Sequence, residues 1–333
     1  MKRIAINGLG RIGRMVLRHY MDIHQKEVEL VAANDLVPTD DLAYLISYDS
    51  VHGRSTFPVE ATEHAVKMGD ITLNIYAERD PAQLPWKKLG VDVVIESTGF
   101  FTKRELAAKH LEAGARRAII SAPAPDADLT LIVGINESQF DPKSHHVISM
   151  ASCTTNSLVP PLKVLMDSFG VDRAMATTVH AYTATQALVD RPDRNLSRGR
   201  AAAMSLVPST TGSDFATTLV LPELKDSLRA LAIRAPIPDG AITDIVADLK
   251  KSTTAEQVNA AFKAAAEGSL NGILGYTEEE LVSADIIGDT HSGIVHALST
   301  QVVQGSMVKI QVWYDNEFGY SKRLLDVVER LDL

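Results

Sequence analysis

The sequence contains little cysteine, few aromatic residues and no long apolar run. Cys153 is the only cysteine among 333 residues, which excludes an intramolecular disulfide and a zinc site built on several cysteines. Aromatic residues make up 5% of the chain, and no apolar segment is long enough to span a membrane. The chain starts directly with a strand-like segment instead of a signal peptide. We therefore expect a cytoplasmic protein in a reducing compartment.

The charge balance is acidic and diffuse, with a formal net charge of −9. Such a balance argues against non-specific binding to nucleic acid or to anionic membranes, so neither is expected as a partner. The composition, 45% hydrophobic and 23% charged, is ordinary for a globular protein. At this length the chain can bury a large core, and two domains are expected. The sequence contains no internal repeat and no low-complexity tract.

The first 150 residues alternate strand-like and helical patterns. Strands are predicted over 3–7, 28–33, 91–96, 117–121, 130–134 and 146–150, and helices over 11–24, 39–46 and 103–114. Regular alternation of this kind is typical of a parallel sheet covered by helices on both faces. A more polar insertion, roughly 50–80, is expected to add antiparallel strands.

The second half of the chain has a different pattern. A helix is predicted over 153–168, where Pro160 and Pro161 should kink it or delay its regular start. Alternating strands are predicted over 174–182, 228–234, 243–250, 294–303 and 307–314, and helices over 254–267 and 319–331. Thr253 and Glu256 form a capping-box pattern, and Gly268 follows the helix. Alternation in longer strands favours an antiparallel sheet with one covered face.

A glycine motif connects the first strand to the first helix. Gly8, Gly10 and Gly13 follow strand 3–7, and Asn34-Asp35 ends the next strand, which is the context of a dinucleotide-binding fingerprint. The pyrophosphate would lie at the helix N-terminus, and Asp35 would accept hydrogen bonds from the adenosine ribose. A carboxylate there repels a 2′-phosphate, which favours NAD over NADP. Alternatively, Asp35 only caps the following loop. By their position in the sheet, Ser97-Thr98-Gly99 would line the far side of the cofactor.

Cys153 has unusually polar neighbours. A lone cysteine is most often a buried, inert small side chain. Here Ser152, Thr154, Thr155 and Asn156 surround it, and these residue types favour a helix N-terminus. The positive end of a helix lowers the pKa of a thiol, so the pattern indicates a nucleophile.

His180 lies in a strand-like run after the cysteine. A histidine in such a run is structural by default, but a nearby reactive thiol changes its interpretation. Together with a dinucleotide site, the pair predicts aldehyde oxidation through a thioester. The thiolate adds to the aldehyde, the hemithioacetal gives hydride to NAD, and an acceptor then attacks the thioester. His180 would hold the thiolate as an ion pair and act as general base.

These features predict an α/β protein: a Rossmann dinucleotide-binding domain plus an α+β catalytic domain with a mostly antiparallel sheet. The NAD-binding domain is expected to span 1–152, with the C-terminal helix 318–333 packing back on it. The catalytic domain is expected to span 153–317.

At this point the chain resembles the phosphorylating glyceraldehyde-3-phosphate dehydrogenases over essentially its full length. The matching runs are 6–14 (INGLGRIGR), 34–36 (NDL), 48–53 (YDSVHG), 77–81 (AERDP), 97–102 (STGFFT), 151–156 (ASCTTN), 180–186 (HAYTATQ), 209–212 (STTG) and 313–321 (WYDNEFGYS). The cysteine run and the C-terminal run are highly specific.

The resemblance implies the roles of individual residues. Cys153 would be the nucleophile and His180 the base. Inorganic phosphate would bind near Ser152, Thr154, Arg198, Thr211 and Gly212, and the substrate C3 phosphate on Thr183 and Arg234. NAD would be held by Gly8, Gly10, Arg11, Ile12, Asn34, Asp35, Arg79, Ser97, Thr98, Gly99, Ser121, Asn316 and Tyr320. No metal is expected. The partners implied are glyceraldehyde 3-phosphate and inorganic phosphate, and the assembly implied is a homotetramer.

Several positions depart from the family pattern. Met150 replaces the usual Asn, Ser157 replaces a second cysteine, and Pro161 adds a second proline. Segment 213–215 (SDF) stands where Ala-Ala-Lys is usual, and Ala235 where Val is usual. The loop 187–200 carries four arginines, Arg191, Arg194, Arg198 and Arg200, which either form a solvated face partnered with Asp190 and Asp193 or, through Arg191, soften the preference for NAD.

Two alternatives to this function remain open. Erythrose-4-phosphate dehydrogenase has the same thiol but hydrolytic release, and segments 84–86 (LPW) and 281–296 faintly resemble it. The run Tyr182-Thr183 after His-Ala is more similar to the glyceraldehyde enzyme. A more distant alternative is a non-catalytic protein that uses the Rossmann cleft for RNA.

Overall fold

The structure, a computed structural model, describes residues 1–22 and 27–331. It divides into two compact units. The first contains residues 1–151 and the segment from Ser321 onward, and the second contains Ser152–Tyr320. Within the described ranges, no helix is long and apolar enough to cross a membrane.

The first unit is a nine-stranded sheet with helices. Its strands are β1 Lys2–Asn7, β2 Val28–Asn34, β3 Tyr48–Asp49, β4 Gly53–Arg54, β5 Val59–Ala61, β6 Ala65–Met68, β7 Ile71–Tyr76, β8 Val93–Glu96, β9 Arg117–Ile120, β10 Leu129–Thr130 and β11 Val147–Ser149. Its helices are α1 Arg11–Asp22, α2 Thr39–Ser47, α3 Trp86–Leu89, α4 Arg104–Ala107 and α5 Lys109–Glu112. The sheet order is β10-β11-β9-β8-β1-β2-β7-β6-β5, while β3 and β4 form a separate hairpin.

The strand directions match the predicted Rossmann arrangement. β1 pairs in parallel with β2 and β8, and β8, β9, β11 and β10 continue in parallel. The polar insertion adds β5, β6 and β7, which pair antiparallel with one another, as expected. Parallel strands bring their carboxyl ends to one edge, so the segments after β1, β2 and β8 meet there.

Two predicted elements of this unit are wrong in detail, and the end of a third stays a prediction. The strand expected over 130–134 ends at Thr130, because the Asn136 side chain accepts from Ile132 N at 2.8 Å and donates to Thr130 O at 2.9 Å, closing a turn. The helix expected over 103–114 is the two short helices α4 and α5. The end of the helix expected over 11–24 lies outside the described residues.

The second unit is an eight-stranded mixed sheet. Its strands are β12 Val171–Ala181, β13 Val207–Ser209, β14 Leu228–Ala235, β15 Ala241–Leu249, β16 Leu274–Thr277, β17 Gly293–His296, β18 Gln301–Val303 and β19 Met307–Tyr314. Its helices are α6 Cys153–Phe169, α7 Ser213–Val220 and α8 Ala255–Glu267; α9, Phe318–Arg330, starts here and enters the first unit at Ser321. The order is β13-β14-β12-β15-β19-β17-β16, with β18 on β19. The sheet is mostly antiparallel, as predicted; β12–β14 and β16–β17 are parallel.

The helices of this unit also correct the expectations. α6 runs unbroken from Cys153 through both prolines, so neither delays its start. The capping box of α8 lies one residue later than predicted, with Thr254 as N-cap and Gln257 as its partner. The strand expected over 294–303 is interrupted by a single helical turn, Ala297–Ser299, where Ser299 Oγ donates to His296 O at 2.8 Å.

One face of the second sheet remains open. α6 and α7 pack on the other face, whereas alternate residues of β12, β14, β15 and β19 are exposed or half-buried. Thr177 lies in register with Leu231, and Met175 with Val246, so these side chains share one face. The apolar members of this open face are Met175, Val179, Leu231, Ile233, Ile242, Val246, Met307 and Trp313. Met175 is 66% exposed, which is unusual for a sheet residue of this size.

Candidate active site

The start of α6 positions the cysteine. Ser152 caps the helix, its hydroxyl accepting from Thr155 N at 3.0 Å, and Ala151 just before it has φ +53°, a left-handed conformation uncommon for alanine. Cys153 is therefore the first residue of the helix, where its side chain lies near the unpaired N–H groups. Its Sγ is 3.4 Å from Nε2 of His180 near the end of β12. The structure brings the predicted nucleophile and base together.

The electrostatics of the pair differ from the expectation. Although part of the Cys153 side chain is accessible, burial raises the pKa of the thiol to about 11, against the lowering effect of Arg234 and of hydrogen bonds from Thr154. Burial, followed by the charge of Arg234, lowers the pKa of His180 to about 3. Both shifts are opposite to those expected at a helix N-terminus, because burial is the largest cause of each.

Arg234 on β14 is the cation nearest to His180. Its Nη1 lies 3.0 Å from His180 Nδ1 and donates to Ala181 O at 3.0 Å. Its Nε is buried and has no hydrogen-bond partner among the described residues. A buried guanidinium with an open donor next to a thiol is suited to binding an anion.

Two chains of neighbouring hydroxyl groups contain residues that were predicted for the anion sites. Ser152 Oγ is 3.2 Å from Ser213 Oγ, which is 2.8 Å from Thr211 Oγ1, and Gly212 between them precedes α7. Separately, Thr183 Oγ1 is 3.0 Å from Thr185 Oγ1, which accepts from Arg198 Nη2 at 2.8 Å. The first chain groups Ser152, Thr211 and Gly212, and the second groups Thr183 and Arg198.

Some residues of this region were missed or misjudged from sequence. Thr154 Oγ1 points to the buried Tyr314 hydroxyl at 3.0 Å, so it is already engaged. Ser213 and Thr185 link predicted residues but were not themselves predicted, although Thr185 lies within the matched run 180–186 and Ser213 directly follows the run 209–212. In the arginine-rich loop, Arg200 pairs with Asp190 at 2.8 Å, while Arg191 Nη2 donates to Thr185 O at 3.4 Å.

The first unit contains a cleft of about 520 Å³ at the carboxyl edge of its sheet. It is lined by Asn7, Gly8, Gly10, Asn34, Asp35, Leu36, Glu78, Arg79, Ser97, Thr98, Phe100 and Phe101. Seven of the predicted cofactor residues are among them; Arg11, Ile12, Gly99 and Ser121 do not line it. Arg11 forms an ion pair with Asp49, and this pair and backbone hydrogen bonds lower the pKa of Asp49 to about 2 despite its burial.

The glycine turn fits a dinucleotide. A Cβ at Gly8 would lie 2.7 Å from Thr98 N, and one at Gly13 would lie 2.0 Å from Gly8 O, so both positions require glycine for packing. Gly10 faces open space instead, which leaves room for a phosphate at the start of α1. Asp35 accepts from Leu9 N at 2.6 Å and from Val37 N at 2.9 Å. It therefore caps its loop, as the alternative interpretation held, and also holds the glycine turn.

A network of buried polar side chains lies next to the cleft. It was not predicted from the sequence. The Glu96 carboxylate accepts from Asn7 Nδ2 at 2.5 Å, from Thr98 N at 2.9 Å and from the Thr98 hydroxyl, and lies 3.0 Å from His110 Nε2. Trp86 Nε1 donates to His110 Nδ1 at 3.0 Å, which leaves Nε2 to donate to Glu96.

Asn34 extends this network across the sheet. Its Nδ2 donates to Asn7 Oδ1 at 2.7 Å and its Oδ1 accepts from Glu78 N at 2.8 Å. The segments that line the cleft after β1, β2, β7 and β8 are thus connected through polar side chains.

In the second unit, Asn316 and Tyr320 follow β19. Asn316 is 5% exposed, and its Oδ1 is buried without a hydrogen-bond partner in the described part of the chain. An open carbonyl acceptor of this kind suits a carboxamide NH₂, as in nicotinamide. Tyr320 is buried, and this raises the pKa of its hydroxyl well above the usual range.

Comparison with known proteins agrees with both halves of the chain. Residues 2–104 match the family model described as glyceraldehyde 3-phosphate dehydrogenase, NAD binding domain, and residues 152–316 match the one described as glyceraldehyde 3-phosphate dehydrogenase, C-terminal domain. The glyceraldehyde-3-phosphate dehydrogenase of Geobacillus stearothermophilus is 53% identical over 325 residues, 98% of this chain and 96% of its own length. That of Thermotoga maritima is 51% identical over 331 residues, 99% of both chains. The chain therefore belongs to the glyceraldehyde-3-phosphate dehydrogenase family, as an α/β, NAD-dependent oxidoreductase.

Proposed function

We propose that the chain oxidises glyceraldehyde 3-phosphate to 1,3-bisphosphoglycerate with NAD and inorganic phosphate, as a glycolytic enzyme. The observation that carries the proposal is the 3.4 Å approach of Cys153 Sγ to His180 Nε2 at the N-terminus of α6, in a chain with a glycine turn shaped for a dinucleotide. The names of its relatives support the same substrate.

The chain's residues have distinct tasks in this reaction. Cys153 adds to the aldehyde carbon; the proton released from sulfur is taken by His180 Nε2, which passes it to the carbonyl oxygen to give the hemithioacetal hydroxyl. Bound NAD supplies the acceptor for the hydride. His180 also removes the proton of the hemithioacetal hydroxyl as the thioester forms on Cys153. Inorganic phosphate then attacks the thioester carbon, and sulfur leaves as the thiolate.

The two anions need separate sites. We assign inorganic phosphate to Ser152, Thr154, Arg198, Thr211 and Gly212, and the substrate C3 phosphate to Thr183 and Arg234. The hydroxyl chain of Ser152, Ser213 and Thr211 supports the first assignment, and the unpartnered Nε of Arg234 supports the second. Arg198 is assigned to the first site by resemblance, since its own hydrogen bond runs to Thr185 beside Thr183. Thr154 is the weakest of these ligands because its hydroxyl already contacts Tyr314.

NAD is assigned to the cleft of the first unit and to the end of β19. The proposed contacts are Gly8, Gly10, Arg11, Ile12, Asn34, Asp35, Arg79, Ser97, Thr98, Gly99, Ser121, Asn316 and Tyr320. We also propose that residues 1–152 with helix 318–333 act as the NAD-binding domain and 153–317 as the catalytic domain, which the two compact units and the two family matches support.

A homotetramer is proposed as the assembly. The open face of the second sheet supports it, because eight apolar side chains remain exposed or half-buried there. Exposed apolar side chains gathered on one face, with charged residues such as Arg173 and Lys309 among them, are typical of an interface between proteins.

The test is NADH formation, followed by its absorbance, with each aldehyde in the presence and absence of phosphate. We expect glyceraldehyde 3-phosphate to be oxidised faster than erythrose 4-phosphate, with sustained turnover only when phosphate is present. Turnover that is indifferent to phosphate and faster with erythrose 4-phosphate would contradict the proposal and favour erythrose-4-phosphate dehydrogenase.

A further inference from the structure

The hydroxyl of Tyr314, on β19, is buried among three threonine hydroxyls. It lies 2.8 Å from Thr178 Oγ1 on β12 and 3.0 Å from Thr154 Oγ1 on α6, and it is also hydrogen-bonded to Thr243 on β15. All four side chains are at most 6% exposed. A phenol has one proton to donate and two lone pairs that accept, so three hydrogen bonds satisfy it completely. No step of the proposed reaction uses this hydroxyl.

Strand register brings Tyr314 next to the catalytic histidine. Ala241 on β15 is paired with Tyr314 on one side and with His180 on the other, so the three residues form a row across the sheet. Thr178 and Thr243 form another row on the same face, two residues along each strand. Because Ala241 has only a methyl group, the rings of Tyr314 and His180 meet over it, with centroids 5.9 Å apart and an interplanar angle of 76°.

Thr154 connects the Tyr314 hydroxyl to the nucleophile. Its side chain donates a hydrogen bond to the sulfur of Cys153, the residue before it. A threonine hydroxyl has one proton, so Thr154 accepts at its other contact, and Tyr314 is the donor there. The lone pairs of Tyr314 in turn accept from Thr178 and Thr243. The protons of this chain therefore point from the sheet toward the sulfur.

Tyr314 is a neutral donor in this chain. Burial, the largest cause, raises the pKa of its hydroxyl well above the usual range, so it keeps its proton at neutral pH. The other ionisable groups that face Cys153 are His180 from β12, Arg234 from β14, Asp239 from the segment before β15 and Tyr320 from α9. A titration of Cys153 reports on all of these groups, so the variants below leave them in place.

We propose that Tyr314 is a positioning residue for Cys153, because its hydroxyl holds the hydroxyl of Thr154 against the sulfur. The inference rests on the proposed function, in which sulfur leaves with the electron pair of the C–S bond when phosphate attacks the thioester. A donor that already points at sulfur gains strength as this charge develops and does not have to reorient. The same donor stabilises the thiolate that reacts with an alkylating agent.

The experiment uses Tyr314→Phe in the full-length protein. This variant loses the hydroxyl and keeps the ring edge against His180, so it separates the hydrogen bond from the packing. The first measurement is the rate of alkylation by iodoacetamide, an uncharged reagent, against pH and without phosphate or substrate. Since Cys153 is the only cysteine, the signal belongs to it. We expect the rate at neutral pH to fall about tenfold and the pH midpoint to rise by about one unit, the effect of one hydrogen bond to a charged group.

The second measurement separates chemistry from binding. In single turnovers with glyceraldehyde 3-phosphate, NAD and phosphate, Tyr314→Phe should carry out the chemical steps about tenfold more slowly, while KM for each of the three stays within about twofold. A change confined to the chemical steps is expected of a group that acts on sulfur, and a loosened fold would change KM as well.

Thr178→Val is the matched control. It also removes one buried hydroxyl next to Tyr314, but it leaves the bond from Tyr314 to Thr154 in place. Its alkylation rate should stay within about threefold of the unmodified protein, the change expected from one neutral hydrogen bond further along the chain. Thr154→Val should reproduce the alkylation profile of Tyr314→Phe. The double variant should react no more slowly than the slower single variant, since both act through one hydrogen bond to sulfur.

The outcomes distinguish this inference from the proposed function. An unmodified alkylation profile in Tyr314→Phe would overturn the inference, and so would equal losses in Tyr314→Phe and Thr178→Val, which indicate a structural role only. If Tyr314→Phe does not fold, Thr154→Val decides, and an unmodified profile there overturns the inference. Alkylation needs no aldehyde, so the absence of NADH formation from glyceraldehyde 3-phosphate by the unmodified protein would overturn the proposed function separately.

Discussion

At the scale of single residues, the reactive pair was predictable from local sequence and the arginine beside it was not. Polar neighbours identify Cys153 and its helix start, because capping residues have a local signature. Arg234 is 81 positions further along the chain than Cys153, and its approach to His180 follows from the parallel pairing of β12 with β14, which places the two residues in register. No local pattern contains that pairing.

Replacing the thiol tests the nucleophile directly. Cys153→Ser should reduce the oxidation rate at least about a thousandfold, because a serine hydroxyl is hardly ionised at neutral pH. NAD affinity should remain nearly unchanged, since the cleft of the first unit does not include this residue. The rate is measured by NADH formation and the affinity by NAD titration. Activity above a few per cent of the original would contradict the assignment.

Asp35 accepts a hydrogen bond from the glycine turn and carries a charge that would repel a 2′-phosphate. A matched pair of substitutions can separate these two effects. Asp35→Asn keeps an acceptor for Leu9 N but removes the charge that repels a 2′-phosphate, whereas Asp35→Gly removes both. We expect both variants to lower kcat/KM with NAD and raise it with NADP, and the Asn variant to be the more active of the two with NADP. Steady-state kinetics with each cofactor measure this. A wild-type preference for NADP, or a Gly variant superior with both cofactors, would contradict it.

The two anion sites give a further residue-level prediction. Arg234→Leu should chiefly raise KM for glyceraldehyde 3-phosphate, and Arg198→Leu should chiefly raise KM for phosphate. Loss of a charge-assisted hydrogen bond costs roughly 1.5–3 kcal/mol, about ten- to a hundredfold in the corresponding constant. Initial rates with each substrate varied in turn measure the effect. The reverse pattern would exchange the two assignments.

At the scale of elements, the spacing of apolar residues and the capping patterns predicted where most strands and helices lie. Contacts with the rest of the fold determine where these elements end. β19 was predicted with its bounds, because its alternation is regular. The sequence predicts a strand over the apolar run Leu131–Val133, and the run is fully buried, but the Asn136 side chain turns it. Burial alone does not distinguish a strand from a buried turn.

The polar network next to the cleft connects residues at the ends of four strands, β1, β2, β7 and β8. Glu96→Gln removes a charged acceptor shared by Asn7, Thr98 and His110, and should weaken NAD binding about tenfold or more while kcat at saturating NAD changes little. Glu78→Gln is the matched control, because the Glu78 carboxylate lines the same cleft and bonds only to Asp80 N among the described residues. NAD titration of both variants measures this. Equal losses of NAD affinity in the two variants would contradict the role of Glu96 in supporting NAD binding.

At the scale of the whole molecule, the fold class and the family could be predicted from ordered motifs, while the assembly depends on a surface. The sequence predicted that helices cover only one face of this sheet, but not that apolar side chains collect on the other, because alternation does not show what covers that side. The register of β12, β14, β15 and β19 collects its apolar side chains into one area.

A charge on this face should therefore disrupt the proposed tetramer. Met175→Glu would place a carboxylate that must lose its hydration within the interface, with Arg229 in register beside it on β14, so we expect smaller species by analytical ultracentrifugation at micromolar concentration. Leu298→Glu is the control: it also charges an exposed apolar residue, but one outside the open face. A Met175→Glu protein that sediments like the unmodified one would exclude this face from the interface.

Ser157, one turn after Cys153, affects how the protein responds to oxidation of its thiol. Its hydroxyl donates to Thr154 O at 2.9 Å inside α6, where a second thiol would otherwise stand. A sulfenic acid formed on Cys153 consequently has no neighbouring thiol in its own chain to condense with. Its repair depends on small thiols from solution, and without them oxidation proceeds to irreversible acids. The number of titratable thiols in a stored sample therefore equals the number of nucleophiles it still contains.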